Sequence, residues 1–258
     1  IGLLLLSLEG NFVMSSLRKV TKRILAMPYY VYRTMRNYYV TRQLRLKGTA
    51  DVFREIYTRN AWRGQDSVSG TGSDSHQTRV VASELPLLLN AFNISTMLDI
   101  PCGDFYWMNS VKLNGIDYIG ADIVKDLILS NEEKYKKNNV RFENLDLIRD
   151  KLPKVGLVFC RDCLVHLSFE DIRLALQNIC DSQSGLLLTT TFTERKNNRD
   201  IATGQWRVLH LEISPFMLPT PLRVINEECT ESNGMYKDKS LALWKIEDVR
   251  KSLKKRRA

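Results

Sequence analysis

From about residue 75 to residue 192, short apolar runs alternate with segments whose apolar residues recur every three or four positions. The runs predict buried strands, and the recurring spacing predicts amphipathic helices. Five strands are expected: the run that ends at Asp99, the run that ends at Asp122, and residues 140–145, 155–160 and 185–192. Because strands and helices alternate, the pattern predicts an α/β fold with βαβ units in a doubly wound, mostly parallel sheet.

Helices are predicted between these strands at residues 125–138 and 169–180. A further helix should precede the first strand, beginning near Ser75 and placing four apolar residues on one face: Val81, Leu85, Leu88 and Phe92. Pro86 lies within this helix and should bend or restart it.

The end of the chain breaks the alternation. Residues 222–227 and 240–246 are predicted strands, and the polar connection between them contains the turn signal Asn233-Gly234 but no helical pattern. Two strands joined in this way form an antiparallel hairpin. We expect this terminal hairpin to close one edge of the sheet.

The first 61 residues are predicted to be a basic helical N-terminal extension. Residues 15–47 carry apolar and aromatic positions at helical spacing with arginines between them, and residues 51–62 continue as a short helix. Such a segment can pack on a domain, or contact a membrane interface, a partner helix or nucleic acid. The predicted organisation is an extension at 1–61, an α/β domain at 62–249 and a basic tail at 250–258.

The net charge of +9 is concentrated at the two ends. Residues 14–47 contain nine basic residues and no acid, and residues 250–257 contain six basic residues. Since these charges exceed the net charge, the rest of the chain is mildly acidic. This distribution argues against a protein whose whole surface binds nucleic acid.

The apolar stretch at the start, IGLLLLSL, stops at Glu9, short of the ~20 residues that a membrane-spanning helix needs. Met14 is an alternative start that would leave residues 1–13 outside the fold. Five cysteines without a dense framework favour reduced thiols. We expect a cytoplasmic protein, with residues 15–47 as the segment for any peripheral membrane contact.

Aspartates stand at the ends of four successive predicted strands: Asp99, Asp122, Asp146 and Asp162. A single acid at such a position is often a helix cap. Four at one edge of a parallel sheet instead predict a ligand site. Asp122 is placed to accept both hydroxyls of a ribose and Asp146 to accept from an adenine amino group, with Ile123 and Leu147 on the two faces of the base.

The turn after the first strand, Pro101–Phe105, contains a single glycine, Gly103. A pyrophosphate needs several glycines so that the backbone can approach it closely. The sequence therefore favours a ligand that has an adenosine but no phosphate, such as S-adenosylmethionine.

Residues 62–78, WRGQDSVSGTGSDSHQT, are rich in glycine and serine. A linker has this composition. Exposed amides and hydroxyls in such a segment can also form an anion-binding concavity. In the second case the segment would fold over the carboxylate of the cofactor, with Trp62 or Arg79 assisting.

The motif order LDIPCG, IGADI, NLDL and LVFCRDCLVHLS, followed by the terminal hairpin, resembles class I S-adenosylmethionine-dependent methyltransferases over residues 78–249. Trp62-Arg63-Gly64, residues 69–73, Pro101–Asp104 with Trp107-Met108, and Thr203–Arg207 are similar to a narrower subgroup of methyltransferase-domain proteins. The resemblance implies a Rossmann-like, seven-stranded sheet and S-adenosylmethionine as the cofactor. Pro101 and Phe105 replace the outer two of the three glycines that the family usually has in its turn.

By the pattern of that family, Asp122 would hold the ribose and Asp146 the adenine, and Cys102, Gly103 and residues after the fourth strand would hold the methionine end. The residues expected to bind the cofactor are Asp99, Pro101, Cys102, Gly103, Asp104, Trp107, Asp122, Ile123, Asp146, Leu147 and Arg161.

His166, just past the fourth predicted strand, is the first candidate for a catalytic base, and Asp162 is the second. A methyltransferase mainly aligns a nucleophile and excludes water, and it needs a base only if a hydroxyl or amine must lose a proton. A buried or capping histidine is the alternative for His166. With Cys160 and Cys163 it forms a C-x-x-C-x-x-H string, but no fourth zinc ligand lies nearby in sequence, and we expect no metal.

The polar connection at residues 189–216 is expected to contact the substrate, because long loops at this edge of a sheet carry function. The candidates are Arg195, Asp200, Trp206 and Arg207. An arginine and a tryptophan could stack on a planar or sugar ring, and Trp206 could equally anchor the loop to the core.

The expected function is transfer of a methyl group to an oxygen or nitrogen of a small-molecule or glycan-type acceptor. Three alternatives remain: a non-catalytic binding module that keeps the fold, a nucleic-acid methyltransferase that uses the basic ends, and a nucleotide-dependent oxidoreductase on a similar sheet.

Overall fold

The computed structural model describes residues 29–254, which divide into two compact units between residues 46 and 47. In the first unit residues 29–45 form helix α1, which confirms a helical extension. The tyrosines of α1 are exposed: Tyr29, Tyr30, Tyr32, Tyr38 and Tyr39. The expectations for residues 1–28 and 255–258 lie outside the described residues.

The second unit is built around a seven-stranded sheet in the order β3-β2-β1-β4-β5-β7-β6. The strands are β1 Thr96–Asp99, β2 Asp117–Asp122, β3 Val140–Asn144, β4 Leu157–Cys160, β5 Leu186–Phe192, β6 Arg223–Asn226 and β7 Lys239–Lys245. The pairings from β3 to β5 are parallel, and β7 is antiparallel to both β5 and β6. The predicted fold class, including the terminal hairpin, is confirmed.

The helices of this unit are α2 Thr49–Thr58, α3 Ser75–Ala91, α4 Lys125–Tyr135, α5 Phe169–Asp181 and α6 Ile246–Lys254. Helix α3 continues through Pro86, with Leu85 and Leu88 buried on either side of it. Helix α4 ends earlier than predicted, because Lys137 and Val140 hydrogen-bond to each other in a tight bridge that leads into β3. None of the helices within residues 29–254 has both the length and the apolar character needed to cross a bilayer.

Two hydrophobic cores cover the two faces of the sheet. Side chains alternate along each strand, so Met97 of β1 packs in the core with α3, whereas its neighbour Leu98 packs in the core with α5. Residues of β4 divide in the same way, with Leu157 in the first core and Val158 in the second. The sheet is therefore buried on both sides, and its ligand-accessible edge is at the carboxyl ends of the strands.

Pairing in the centre of the sheet brings these strand ends together. Asp99, the last residue of β1, is in register with Gly120 of β2 and Phe159 of β4. Beyond β1 the backbone stays attached to both neighbours, because Ile100 N donates to Phe159 O at 2.9 Å and Cys102 N donates to Ala121 O at 2.8 Å. The turn that follows therefore has a fixed position between β2 and β4.

Candidate functional site

A cavity of about 380 Å³ opens at the carboxyl ends of β1, β2 and β4. One part of its lining, here called the strand-end half, consists of residues 99–104, 122–124 and 145–148. Another part, the aromatic half, contains Phe53, Tyr57, Trp62, Phe192, Trp206 and Tyr236. All eleven residues predicted to bind a cofactor line the cavity, as do His166 and Asp162. Their contacts with a cofactor stay predictions.

The turn after β1 shows how Pro101 and Phe105 are accommodated. The Ile100-Pro101 peptide bond is cis, and Phe105 has the left-handed backbone (φ 58°) that glycine adopts most easily. The Phe105 ring is buried against Tyr118, Tyr135 and Phe142, with ring centroids 5.1–5.3 Å apart. Aromatic packing thus stabilises a backbone conformation that is otherwise unfavourable for a side chain.

Gly103 has a left-handed backbone as well (φ 56°), and a Cβ at this position would overlap the Ser69 hydroxyl. Ser69 belongs to the glycine- and serine-rich segment, which folds over the turn. Ser67 Oγ and Val68 N each donate to the Asp104 carboxylate at 2.9 Å, and Asp104 N donates to Ser69 Oγ at 3.1 Å. The segment is therefore an anchored wall of the cavity and not a linker.

The two residues expected to assist this segment lie in different places. Trp62 lines the cavity. Arg79 does not; it extends from α3 and forms an exposed ion pair with Glu228 at 2.9 Å.

Asp122 and Asp99 are buried acids in the strand-end half. Asp122 accepts from Val124 N at 2.9 Å and from Gly103 N at 3.3 Å, and burial raises its pKa to about 6. Burial raises the pKa of Asp99 to about 8, although Tyr118 Oη donates to it at 2.6 Å. Because both carboxylates are poorly solvated, a bound cation would stabilise their ionised forms.

Asp146 is less buried and closes a turn. Its Oδ1 accepts from Ile148 N at 2.8 Å, and its amide donates to Asp150 at 2.7 Å. Its Oδ2 lies 4.0 Å from Arg149 Nε, outside hydrogen-bond distance. One oxygen of Asp146 is therefore available to a ligand.

Four charged side chains form a buried network beside the cavity. Glu227 contacts Arg161 at 2.6 Å and Lys239 at 3.4 Å, and Lys239 contacts Asp162 at 2.6 Å. Arg161 also donates to Gly72 O at 2.8 Å. Burial acts to raise the pKa of Asp162, but the charges of Lys239 and Arg161 lower it to about 2. Asp162 is thus a permanently ionised partner of Lys239 and a poor proton acceptor.

His166 has a defined ring orientation. Its Nδ1 lies 3.1 Å from Gln205 O, and because a carbonyl only accepts, Nδ1 carries the proton. Burial lowers the pKa of His166 to about 4, although the Asp162 charge opposes this. The Trp62 ring packs on the imidazole with centroids 4.6 Å apart. His166 is therefore neutral at pH 7, and Nε2 is its acceptor atom.

Of the four predicted substrate residues, Trp206 lines the cavity and the other three do not. Arg195 pairs with Asp238 at 2.6 Å. Asp200 accepts from the amide of Phe169 at the start of α5. Arg207 is buried and donates to the carbonyls of Leu164 and Leu167, each at 2.9 Å. These side chains hold the loop in place, and their substrate contacts stay predictions.

Several residues that line the cavity are not among the candidates predicted from the sequence: Phe53, Tyr57, Phe192, Glu231, Tyr236 and Lys239. For Lys239 the sequence does contain a signal, because a charged residue stands at the start of an apolar strand.

All five cysteines are free, and no group of three or more histidine, cysteine or acidic residues within 29–254 is arranged to hold a metal ion.

No protein-family profile and no curated protein matches the chain. Its fold is similar to that of 1,6-didemethyltoxoflavin-N1-methyltransferase from Burkholderia thailandensis, solved with 1,6-didemethyltoxoflavin and S-adenosylhomocysteine (TM-score 0.57, 15% identity, 76% of this chain and 88% of that chain). It is similar as well to the N-methyltransferase NodS from Bradyrhizobium japonicum WM9 in complex with S-adenosylhomocysteine (0.53, 15%, 74% and 97%).

Human N-acetylserotonin methyltransferase in complex with S-adenosylmethionine matches with a TM-score of 0.53 and 11% identity over 77% of this chain. This chain spans 60% of the length of that protein. Together with the strand order 3-2-1-4-5-7-6 and the antiparallel β7, these similarities show that the chain has the fold of class I S-adenosylmethionine-dependent methyltransferases.

Proposed function

We propose that the chain is an S-adenosylmethionine-dependent methyltransferase that methylates an oxygen or nitrogen of a small-molecule or glycan-type acceptor. The observation that supports this most is a single cavity that combines buried Asp122 beside Gly103 with neutral His166. The first arrangement suits an adenosine-containing ligand, and the second offers a neutral acceptor atom, Nε2, to a hydroxyl or N–H of the methyl acceptor.

The strand-end half fits the chemical groups of S-adenosylmethionine. Asp122 would accept from the ribose hydroxyls, Asp146 from the adenine amino group, and the apolar Ile123 and Leu147 would contact the base. The cofactor carries a sulfonium and an ammonium, and such charges would stabilise the buried carboxylates of Asp122 and Asp99, whose pKa values are raised.

The glycine- and serine-rich segment fits the carboxylate of the cofactor. The backbone amides of Thr71 and Gly72 donate to no acceptor within residues 29–254, and both residues line the cavity. Successive free amides bind anions. Arg161 donates to Gly72 O and so holds this part of the segment in place.

When bound, S-adenosylmethionine supplies an electrophilic methyl group on a sulfonium that leaves as a neutral thioether. The task of the chain is to orient the acceptor, exclude water and receive a proton. His166 Nε2 would take that proton, since Gln205 O keeps Nδ1 protonated and Trp62 fixes the ring plane. Asp162 would act by positioning Lys239 and not as the base.

Calorimetry with the intact chain tests this proposal. We expect S-adenosylmethionine and S-adenosylhomocysteine to bind with micromolar affinity, and absence of binding for both would overturn it. Binding without methyl transfer to any of a broad set of acceptors would favour the non-catalytic module.

Cytoplasmic localisation and membrane contact through residues 15–47 stay predictions, as does use of the basic ends to bind nucleic acid.

A further inference from the structure

The aromatic half of the cavity contains two groups of rings. Phe192, Trp206 and Tyr236 contact one another, with centroid distances of 6.2 Å, 6.1 Å and 5.0 Å. Trp62 lies between Phe53 at 6.2 Å and His166 at 4.6 Å. Phe192 is almost fully buried, so the rings that a ligand can contact here include those of Trp62, Trp206 and Tyr236.

Two polar side chains of the cavity lining are already paired. Lys239 binds Asp162 at 2.6 Å, and Thr71 donates to Glu231 at 2.6 Å. Within residues 29–254, Tyr57 Oη, Tyr236 Oη and Trp206 Nε1 make no hydrogen bond. His166 Nε2 and the hydroxyls of Thr49 and Ser73, which also line the cavity, are further hydrogen-bonding atoms left for a ligand within the described residues.

The charges in this region also limit the ligand. Among the described residues that line the cavity, the cationic side chains are Arg161 and Lys239. Both are compensated by contacts with Glu227 and Asp162. An anionic acceptor would find no unpaired side-chain cation there.

We propose that the acceptor is an uncharged, planar aromatic or heteroaromatic small molecule whose hydroxyl or ring nitrogen meets His166 Nε2. This inference rests on the proposed methyltransferase function and narrows its acceptor. A sugar would bring many hydroxyls into a region with few free partners, and each unpaired hydroxyl would weaken binding. A planar ring instead gains from contact with Trp206 and Tyr236.

Calorimetry in the presence of saturating S-adenosylhomocysteine tests the acceptor class, with 2-naphthol as the aromatic probe and methyl glucoside as the sugar probe. We expect binding of 2-naphthol and none of methyl glucoside at the same concentration. Trp206→Ala and Tyr236→Ala should each weaken 2-naphthol about tenfold. Tyr106 is a half-exposed aromatic residue outside the cavity, so Tyr106→Ala should leave the 2-naphthol affinity unchanged.

S-adenosylhomocysteine affinity, measured for every variant, separates the possible failures. If the natural chain does not bind S-adenosylhomocysteine, the proposed function fails and the aromatic acceptor with it. If that ligand binds but 2-naphthol does not, or if methyl glucoside binds in its place, the aromatic acceptor alone is overturned. The aromatic acceptor is also overturned if Trp206→Ala and Tyr236→Ala bind 2-naphthol as tightly as the natural chain does, provided that both variants still bind S-adenosylhomocysteine.

Discussion

The strand-end half of the cavity is built from short continuous segments, whereas the aromatic half is assembled from side chains far apart in sequence. The first half follows directly from β1, β2 and β3, and its acids and turn lie within 50 residues of one another. The second half combines Phe53 of α2 and Trp62 with Trp206 and Tyr236 from distant loops. One half is therefore fixed by local backbone geometry and the other by tertiary packing.

The buried charge network lies where these two kinds of structure meet. Arg161 follows β4, Glu227 follows β6 and Lys239 begins β7, so the network connects the parallel part of the sheet to the hairpin. It also holds the glycine- and serine-rich segment through Gly72. Substitutions in the network, in the turn after β1 and at the buried acids therefore measure how strongly the stability and binding of one half depend on the other.

The largest effect is expected for Glu227→Ala, which leaves two buried cations without this partner. We predict a loss of about 3–5 kcal/mol in the free energy of unfolding, measured by urea denaturation. The neighbouring Glu228→Ala removes an exposed ion pair and should cost less than about 1 kcal/mol. Similar losses for the two variants would contradict the role given to the network.

Gly103→Ala should have a smaller but still large effect on the strand-end half. It combines left-handed strain with overlap of the Ser69 hydroxyl, for which we predict a loss of about 2–4 kcal/mol. Gly115→Ala is the matched control, because Gly115 is also left-handed (φ 72°) but has nothing within 4 Å of an added Cβ. Gly115→Ala should lose only the free energy due to backbone strain, about 1–2 kcal/mol of the free energy of unfolding. Equal losses of stability in Gly103→Ala and Gly115→Ala would show that the contact between Ser69 and the turn does not restrict position 103.

Asp99→Asn should change the pH dependence of stability. Burial raises the pKa of Asp99 to about 8 from an ordinary 3.8, so between these values the folded chain keeps a proton that the unfolded chain has lost. The contribution of Asp99 to stability therefore falls as pH rises, by up to about 1.4 kcal/mol per pH unit.

Denaturation at pH 5, 6, 7 and 8 measures this effect. Asn resembles the protonated acid, so the stability of Asp99→Asn relative to the natural chain should increase steadily across the series. Asp117→Asn, at the exposed first position of β2, should show no such trend. A constant difference between Asp99→Asn and the natural chain would contradict the raised pKa.

Much of the strand-end half could be predicted from the sequence because its signals are local. An apolar run that ends in an acid predicts both a buried strand and the position of that acid, and Asp99 and Asp122 are the last residues of β1 and β2. The exact end of α4 could not be predicted, since it depends on a bridge between Lys137 and Val140.

The aromatic half could not be predicted in the same way. A polar side chain in a long loop has the same appearance in sequence whether it faces a ligand or a backbone carbonyl, and Arg207 satisfies the carbonyls of Leu164 and Leu167. Conversely, Tyr236 and Phe53 reach the cavity only in the complete fold, where both side chains pack against the core that contains α5.

The binding of the cofactor ribose by Asp122 is tested by calorimetric titration of S-adenosylhomocysteine into Asp122→Ala, with Asp117→Ala as its matched control on the same strand. Asp122 would contribute charge-assisted hydrogen bonds to two ribose hydroxyls, each worth about 1.5–3 kcal/mol. We expect micromolar binding to the natural chain and to Asp117→Ala, and binding at least about 100-fold weaker to Asp122→Ala. Unchanged affinity in Asp122→Ala would contradict the binding of the ribose by Asp122.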